Sequence, residues 1–271
     1  MTNILLNRDD VTESNSRAGL RCALRGEWTK FWSLRSAGWS VFALAFVTYG
    51  LCYLSTNALR GQAHIDDPIM RVLVGFNFGQ FVMGVLGVLF LSSEYSTGQI
   101  RSTMAAMPRP GIVLGAKAIV VGGVGLVLGE VLSFSTYFLG RLILAGHASQ
   151  ISLSQPGILR VLIESGIDLA IIGLIGLGIA AIVRSSAASL SIFTSIMLVL
   201  TVVLFAMPGI IVHDLSRYLP ANISSTIFAS TTPSQLEGTP LFSPLIGLLL
   251  IGLYAVVLLV VGGCMMARRD T

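Results

Sequence analysis

Charge is scarce in this chain. Asp, Glu, Lys and Arg make up 11% of its 271 residues, against about a quarter in soluble domains, which excludes a globule surrounded by water. A mean hydropathy of +0.83 agrees. Cysteine is equally thin: Cys22, Cys52 and Cys264 stand singly and give neither metal-ligand spacing nor a disulfide framework. His213 beside Asp214 is too little for a metal site. There is no Gly-x-x-x-x-Gly-Lys-Ser/Thr loop and no Gly-Lys pair to cradle phosphates, so any ATP must be bound by a partner. His-Glu-x-x-His and Gly-x-Ser-x-Gly are missing too, which argues against a hydrolase. Aromatic and basic residues do not interleave as nucleic-acid binding would require. The first residues lack a leader's apolar core and cleavage site and are expected to stay in the mature protein. No catalytic, cofactor-binding or metal-binding residue is expected.

What is present is apolar run after apolar run. A span needs about 20 apolar residues, and six stretches qualify: 38–58, 70–91, 112–140, 161–183, 187–208 and 244–266. The expected fold is an all-α membrane protein, with a tail and interfacial helix over 1–36 and a six-span domain over 37–271. The fourth and fifth spans, separated only by "VRSSAAS", should form a tight hairpin. Of 17 Lys and Arg, only Arg60, Arg71, Arg141, Arg160 and Arg217 fall on one side. By the positive-inside rule the other side, with both termini, is cytoplasmic, and His64, His147 and His213 fall in outside connections. The longest outside connection, 209–243, mixes apolar and polar residues as re-entrant or interface-resting helices do.

Two polar segments are patterned. Before the first span, Leu20, Leu24, Trp28, Phe31 and Trp32 recur at helical spacing, with Arg25, Glu27 and Lys30 mostly elsewhere. Tryptophan with Lys and Arg fits a helix lying in the membrane interface; an ordinary basic anchor is the plainer alternative. Between spans two and three, "SSEYSTGQIRSTMAAMPRPG" predicts a short amphipathic helix over 93–107. Ser92 or Ser93 would cap it, Ile100, Met104 and Met107 form its apolar stripe, and the prolines end it. The residues alone leave open whether it docks on a partner or rests on lipid headgroups.

"EWTKFWSLRSAGW", "SSEYSTGQIRSTMAAMPRPGIVLGAKAIV" and the last span ending in "ARRDT" resemble the permease subunits of type-2 ATP-binding-cassette (ABC) transporters in their actinobacterial form. The likeness covers nearly the whole chain and is most specific in the middle block. One departure is Pro110, where the family commonly carries a second basic residue. The resemblance implies an elbow helix bearing Glu27, Trp28, Lys30 and Trp32, and a cytoplasmic coupling helix between spans two and three. Glu94, Tyr95, Ser96, Thr97, Gly98 and Arg101 would couple that helix to a separate ATPase subunit, which carries ATP and magnesium. It further implies a second permease chain, an exported substrate and the bacterial plasma membrane.

Glu130 lies mid-way along span three, and a carboxylate at membrane depth is costly. Three readings fit it: a structural hydrogen bond, a proton relay in a secondary transporter, or a polar contact for cargo. Glu164 and Asp168 share a helix face near the outer end of span four, beside Arg160, where solvation at the rim is the simplest expectation. Gly75 with Gly79 and Gly125 with Gly129 are spaced for close helix packing, within the bundle before a dimer seam. The expected function is an ATP-driven exporter's permease; the alternatives are an ion- or proton-coupled secondary carrier and a non-transporting immunity or scaffold subunit.

Overall fold

A computed structural model describes residues 8–33, 35–59, 67–107, 109–144, 152–153, 155–207, 215–228 and 242–269, with side chains from residue 20 onward except at residues 205 and 269. The three histidines lie outside these residues. Helix α1 (Arg8–Ser33) is followed by α2 (Arg35–Ala58), a one-turn α3 (Pro68–Val72), α4 (Val74–Ser96) and a short α5 (Gln99–Ala106). Then come α6 (Pro110–Ile143), α7 (Ile158–Val183) and a fifth span built from α8 (Ser186–Thr194), a π turn (Ser195–Val199) and α9 (Leu200–Ala206). Helices α10 (Pro220–Ile227) and α11 (Pro244–Arg269) complete the chain. No strand occurs among the described residues. Six helices are long and apolar enough to cross a membrane, within a few residues of the stretches read from sequence.

Burial sorts the spans into two groups. In α7 72% and in α4 61% of the apolar window is buried, against 22% in α2, in the fifth span and in α11. The inner pair, with α6 beside it, is the core; the others turn Trp39, Phe42, Phe46, Val256 and Val260 outward. Lipid is as apolar as leucine, so no hydrophobic force drives these helices together, and close backbone approach supplies the attraction. A Cβ on Gly87 would overlap the Gly173 carbonyl, and one on Gly176 the Gly84 carbonyl, so α4 and α7 touch backbone to backbone. Gly129 meets Gly166 in the same way where α6 crosses α7, and Gly75 meets Thr48 where α4 crosses α2. Hydroxyls add polar contacts: Ser133 Oγ donates to Leu162 O at 2.8 Å and lies 3.0 Å from Ser165 Oγ.

Two expectations are corrected. The helix between spans two and three does not begin at Ser93. Instead α4 runs on to Ser96, where the Ser96 and Thr97 hydroxyls donate back to Ser93 O at 2.9 and 2.8 Å. The break falls at Gly98, whose φ of +72° only glycine adopts cheaply, and α5 then runs over eight residues. The expected end is found: α5 stops at Ala106 and α6 starts on Pro110.

Second, Glu164 and Asp168 are buried rather than solvated, with Asp168 fully enclosed. Its Oδ1 accepts from Ser224 Oγ at 2.9 Å, because α10 folds Ile223, Ser224 and Ile227 back into the bundle. On α1, only part of the apolar stripe is buried. Ala23, Glu27 and Phe31 are buried, whereas Trp28 and Trp32 stand half exposed.

The α4–α7 crossing should tolerate no side chain. Gly87→Val is expected to destabilise the protein by about 1–3 kcal/mol or more, as overpacking does. Gly123→Ala, with open space around it, should leave stability unchanged. Thermal unfolding in detergent, followed by size-exclusion chromatography, checks both.

Candidate functional site: a ring of alternating charge

At one end of the bundle α1 lies across α6, α4 turns into α5, and four ionisable side chains meet. Glu27 and Lys30 come from adjacent turns of α1, Glu94 from the last turn of α4, and Lys117 from two turns inside α6. Phe31, one turn beyond Glu27, packs edge-on against Phe90 with centroids 5.3 Å apart, which seats α1 on α4.

The four groups close a ring of alternating sign. Lys117 Nζ donates to Glu27 Oε2 at 2.5 Å and to Glu94 Oε1 at 2.8 Å. Lys30 Nζ donates to Glu27 Oε1 at 2.9 Å and to Glu94 Oε1 at 3.0 Å. Its third bond reaches Thr103 Oγ1 at 3.1 Å and so hangs α5 on the ring. Lys117 has no exposed side-chain surface and sits 4.5 Å from the Phe90 centroid, a cation over an aromatic face. Two lysines and two glutamates sum to zero, and every charge has opposite neighbours. Glu94 Oε2 is buried without a hydrogen-bond partner.

Burial draws the Lys30 ammonium downward. The hydrogen bond and charge of Glu27, then those of Glu94, outweigh it, and the group titrates above its ordinary 10.5. A raised pKa stabilises the fold fully below the ordinary value and loses that contribution as pH climbs through the raised one. Lys30 is therefore charged at neutral pH.

A second contact lies at the same end. Arg184 caps α7 in a left-handed conformation, donates from Nη2 to Met265 O at 3.1 Å, and holds its guanidinium 5.5 Å from the Tyr95 ring. It ties α4, α7 and α11 as the ring ties α1, α4, α5 and α6.

The residues proposed for coupling therefore divide. Ser96, Thr97, Gly98 and Arg101 face outward, with Gln99 and Ser102 beside them. Tyr95 is half-buried under Arg184, and Glu94 is enclosed in the ring, unavailable to a docking partner. Of the residues expected on an elbow helix, Glu27 and Lys30 point into the ring, while Trp28 and Trp32 face away, edge to face at 5.9 Å. A cleft of about 290 Å³ separates α1 from α5, with Gly26, Lys30, Gln99 and Thr103 on its walls. Glu130 stays apart from all of this: half-buried, packed against Gly166, and without a polar partner among the described residues. Among those residues no group of three His, Cys, Asp or Glu side chains is placed to hold a metal.

Lys117 and Thr103 were not singled out by the sequence. By pattern alone Lys117 is one of the cations that set topology. Its signal was depth, since an ionisable residue two turns inside an apolar helix needs buried partners.

Removing one partner from a buried ion pair costs about 3–5 kcal/mol, because the survivor is left uncompensated. Lys117→Met should lower stability by that order, and adding Glu94→Gln should recover part of the loss. A double-mutant cycle on thermal stability checks it. Neither a known family model nor a curated protein matches this chain.

Proposed function

We propose that this chain is the membrane-spanning permease subunit of an ATP-driven exporter of the type-2 ABC kind. In this reading α5 is the coupling helix, α1 the elbow, and the end carrying both faces the cytoplasm of a bacterial cell. The observation that carries the proposal is the charged ring. It gives a short surface helix, with Arg101 outward on it and Ser96, Thr97 and Gly98 outward on the turn before it, a stiff connection to α1, α4 and α6.

A lever needs that combination of a free outer face and a rigid root. The partner ATPase would bind ATP and magnesium and push on the outer face of α5. The ring would pass the displacement to α4 and α6, the spans that flank α5 in sequence, and to α1, whose outward tryptophans ride in the interface. Two copies of the chain, paired through sparsely buried spans such as α2, would enclose the path for the exported substrate. The work is mechanical, and no bond is made or broken in this chain.

Recovery of partners from native membranes tests the reading. The wild-type chain should bring down an ABC-type ATPase and stimulate its turnover. Arg101→Glu, on the exposed face, should cut recovery about tenfold, the ratio that 1.4 kcal/mol produces, with thermal stability unchanged. The Lys117→Met/Glu94→Gln pair, which regains part of the stability lost in Lys117→Met, should leave recovery intact and abolish stimulation. An ATPase indifferent to Arg101→Glu, or transport that persists without ATP and is lost in Glu130→Gln, would overturn it.

A further inference from the structure

An open groove runs along the outer side of the bundle, between α7, the fifth span and α11, with a volume of about 670 Å³. That lies within the roughly 300–1,000 Å³ of ordinary ligand sites. Ile175 and Ile179 line one wall, Ile196 of the π turn another, and Leu253 and Leu258 the third. Pro220, at the start of α10, also lines it. Tyr254 turns its hydroxyl out of the groove to donate to Tyr218 O at 3.2 Å, so no polar group is left to hold a polar cargo.

Length and charge name the occupant. From Ile175 to Val183 the α7 wall rises about 12 Å at 1.5 Å per residue. One leaflet's share of a hydrocarbon core about 30 Å thick is about 15 Å. Pro220 belongs to the folded-back helix that Ser224 pins to Asp168, and it sits at the end of the groove remote from α5. At the other end Arg184 follows Val183 directly, bridging α7 to α11 at Met265 O, and Arg268 stands exposed one turn further on.

We propose that this groove is a lipid site, taking one acyl chain of an anionic phospholipid from the leaflet on the α5 side, with the phosphate beside Arg184 and Arg268. The chain fills the slot between three spans that small residues alone do not close, and the headgroup lies where α7 and α11 are joined. The inference is independent of any transport activity.

The test uses the full chain in nanodiscs containing phosphatidylglycerol with a photoreactive diazirine part-way along one acyl chain. Cross-links should concentrate on the Ile175–Val183, Ile192–Ile196 and Leu253–Leu258 segments. Enrichment over the outward residues Phe46 and Val127 should be about tenfold, the ratio that 1.4 kcal/mol of preference produces. Ile192→Trp and Val257→Trp, at half-exposed groove positions, should abolish that enrichment without changing the size-exclusion profile. Arg184→Ala should bring labelling by the anionic probe down to that of a phosphatidylcholine analogue. Uniform labelling of the wild-type surface, or enrichment unchanged in both filled variants, would overturn the proposal.

Discussion

A lysine ammonium two turns inside an apolar helix has to be answered in kind. Lys117 has no exposed surface and cannot snorkel to water, so its charge is met by Glu27 and Glu94. Each of those acids would itself be a costly buried anion; Lys30 closes the circuit and Thr103 extends it to α5. Because the four groups come from three helices, none can leave without stranding the others. The geometry at this end of the bundle follows: where α1 lies, how far α4 extends before it breaks, and why α5 folds back at Gly98 rather than trailing away. An ionic joint is directional, and therefore stiff, in a setting where apolar contacts between helices and lipid are nearly interchangeable.

The rest of the molecule supports that joint without charge. Gly84, Gly87, Gly173 and Gly176 bring α4 and α7 into backbone contact, and Gly129 with Gly166 does so for α6 and α7. Displacement of α4 is thereby carried along a dense core, while α2, the fifth span and α11 stay loosely buried around it. At the far end α10 is held by the Asp168–Ser224 bond. The molecule thus has a rigid middle, a charged joint with an exposed handle at one end, and a periphery with much apolar surface turned outward.

Much of this was legible in the chain. Apolar runs of membrane length mark spans whatever surrounds them, and prolines mark where α5 ends and α6 begins. The buried face of α1 is set by a long-range pairing, because Glu27 is turned inward by a partner 90 residues away while Trp28 and Trp32 stay exposed. Glu94 looked like the first turn of a new helix, since a serine pair before an acid is a strong start signal. Gly98 took the break instead, because only glycine meets the required backbone angle cheaply. The Asp168–Ser224 contact spans 56 residues, and no local pattern in either segment announces it.

If the charged ring makes α1 and the base of α5 one body, the distance between them should be narrowly distributed. Spin labels on the exposed native Cys22 and on Arg101→Cys, in a Cys264→Ser background, allow electron double-resonance to read that distance in the reconstituted chain. A single narrow distribution that broadens on Lys117→Met is the predicted result. A distribution already broad with Lys117 in place, or one that Lys117→Met leaves untouched, would contradict it.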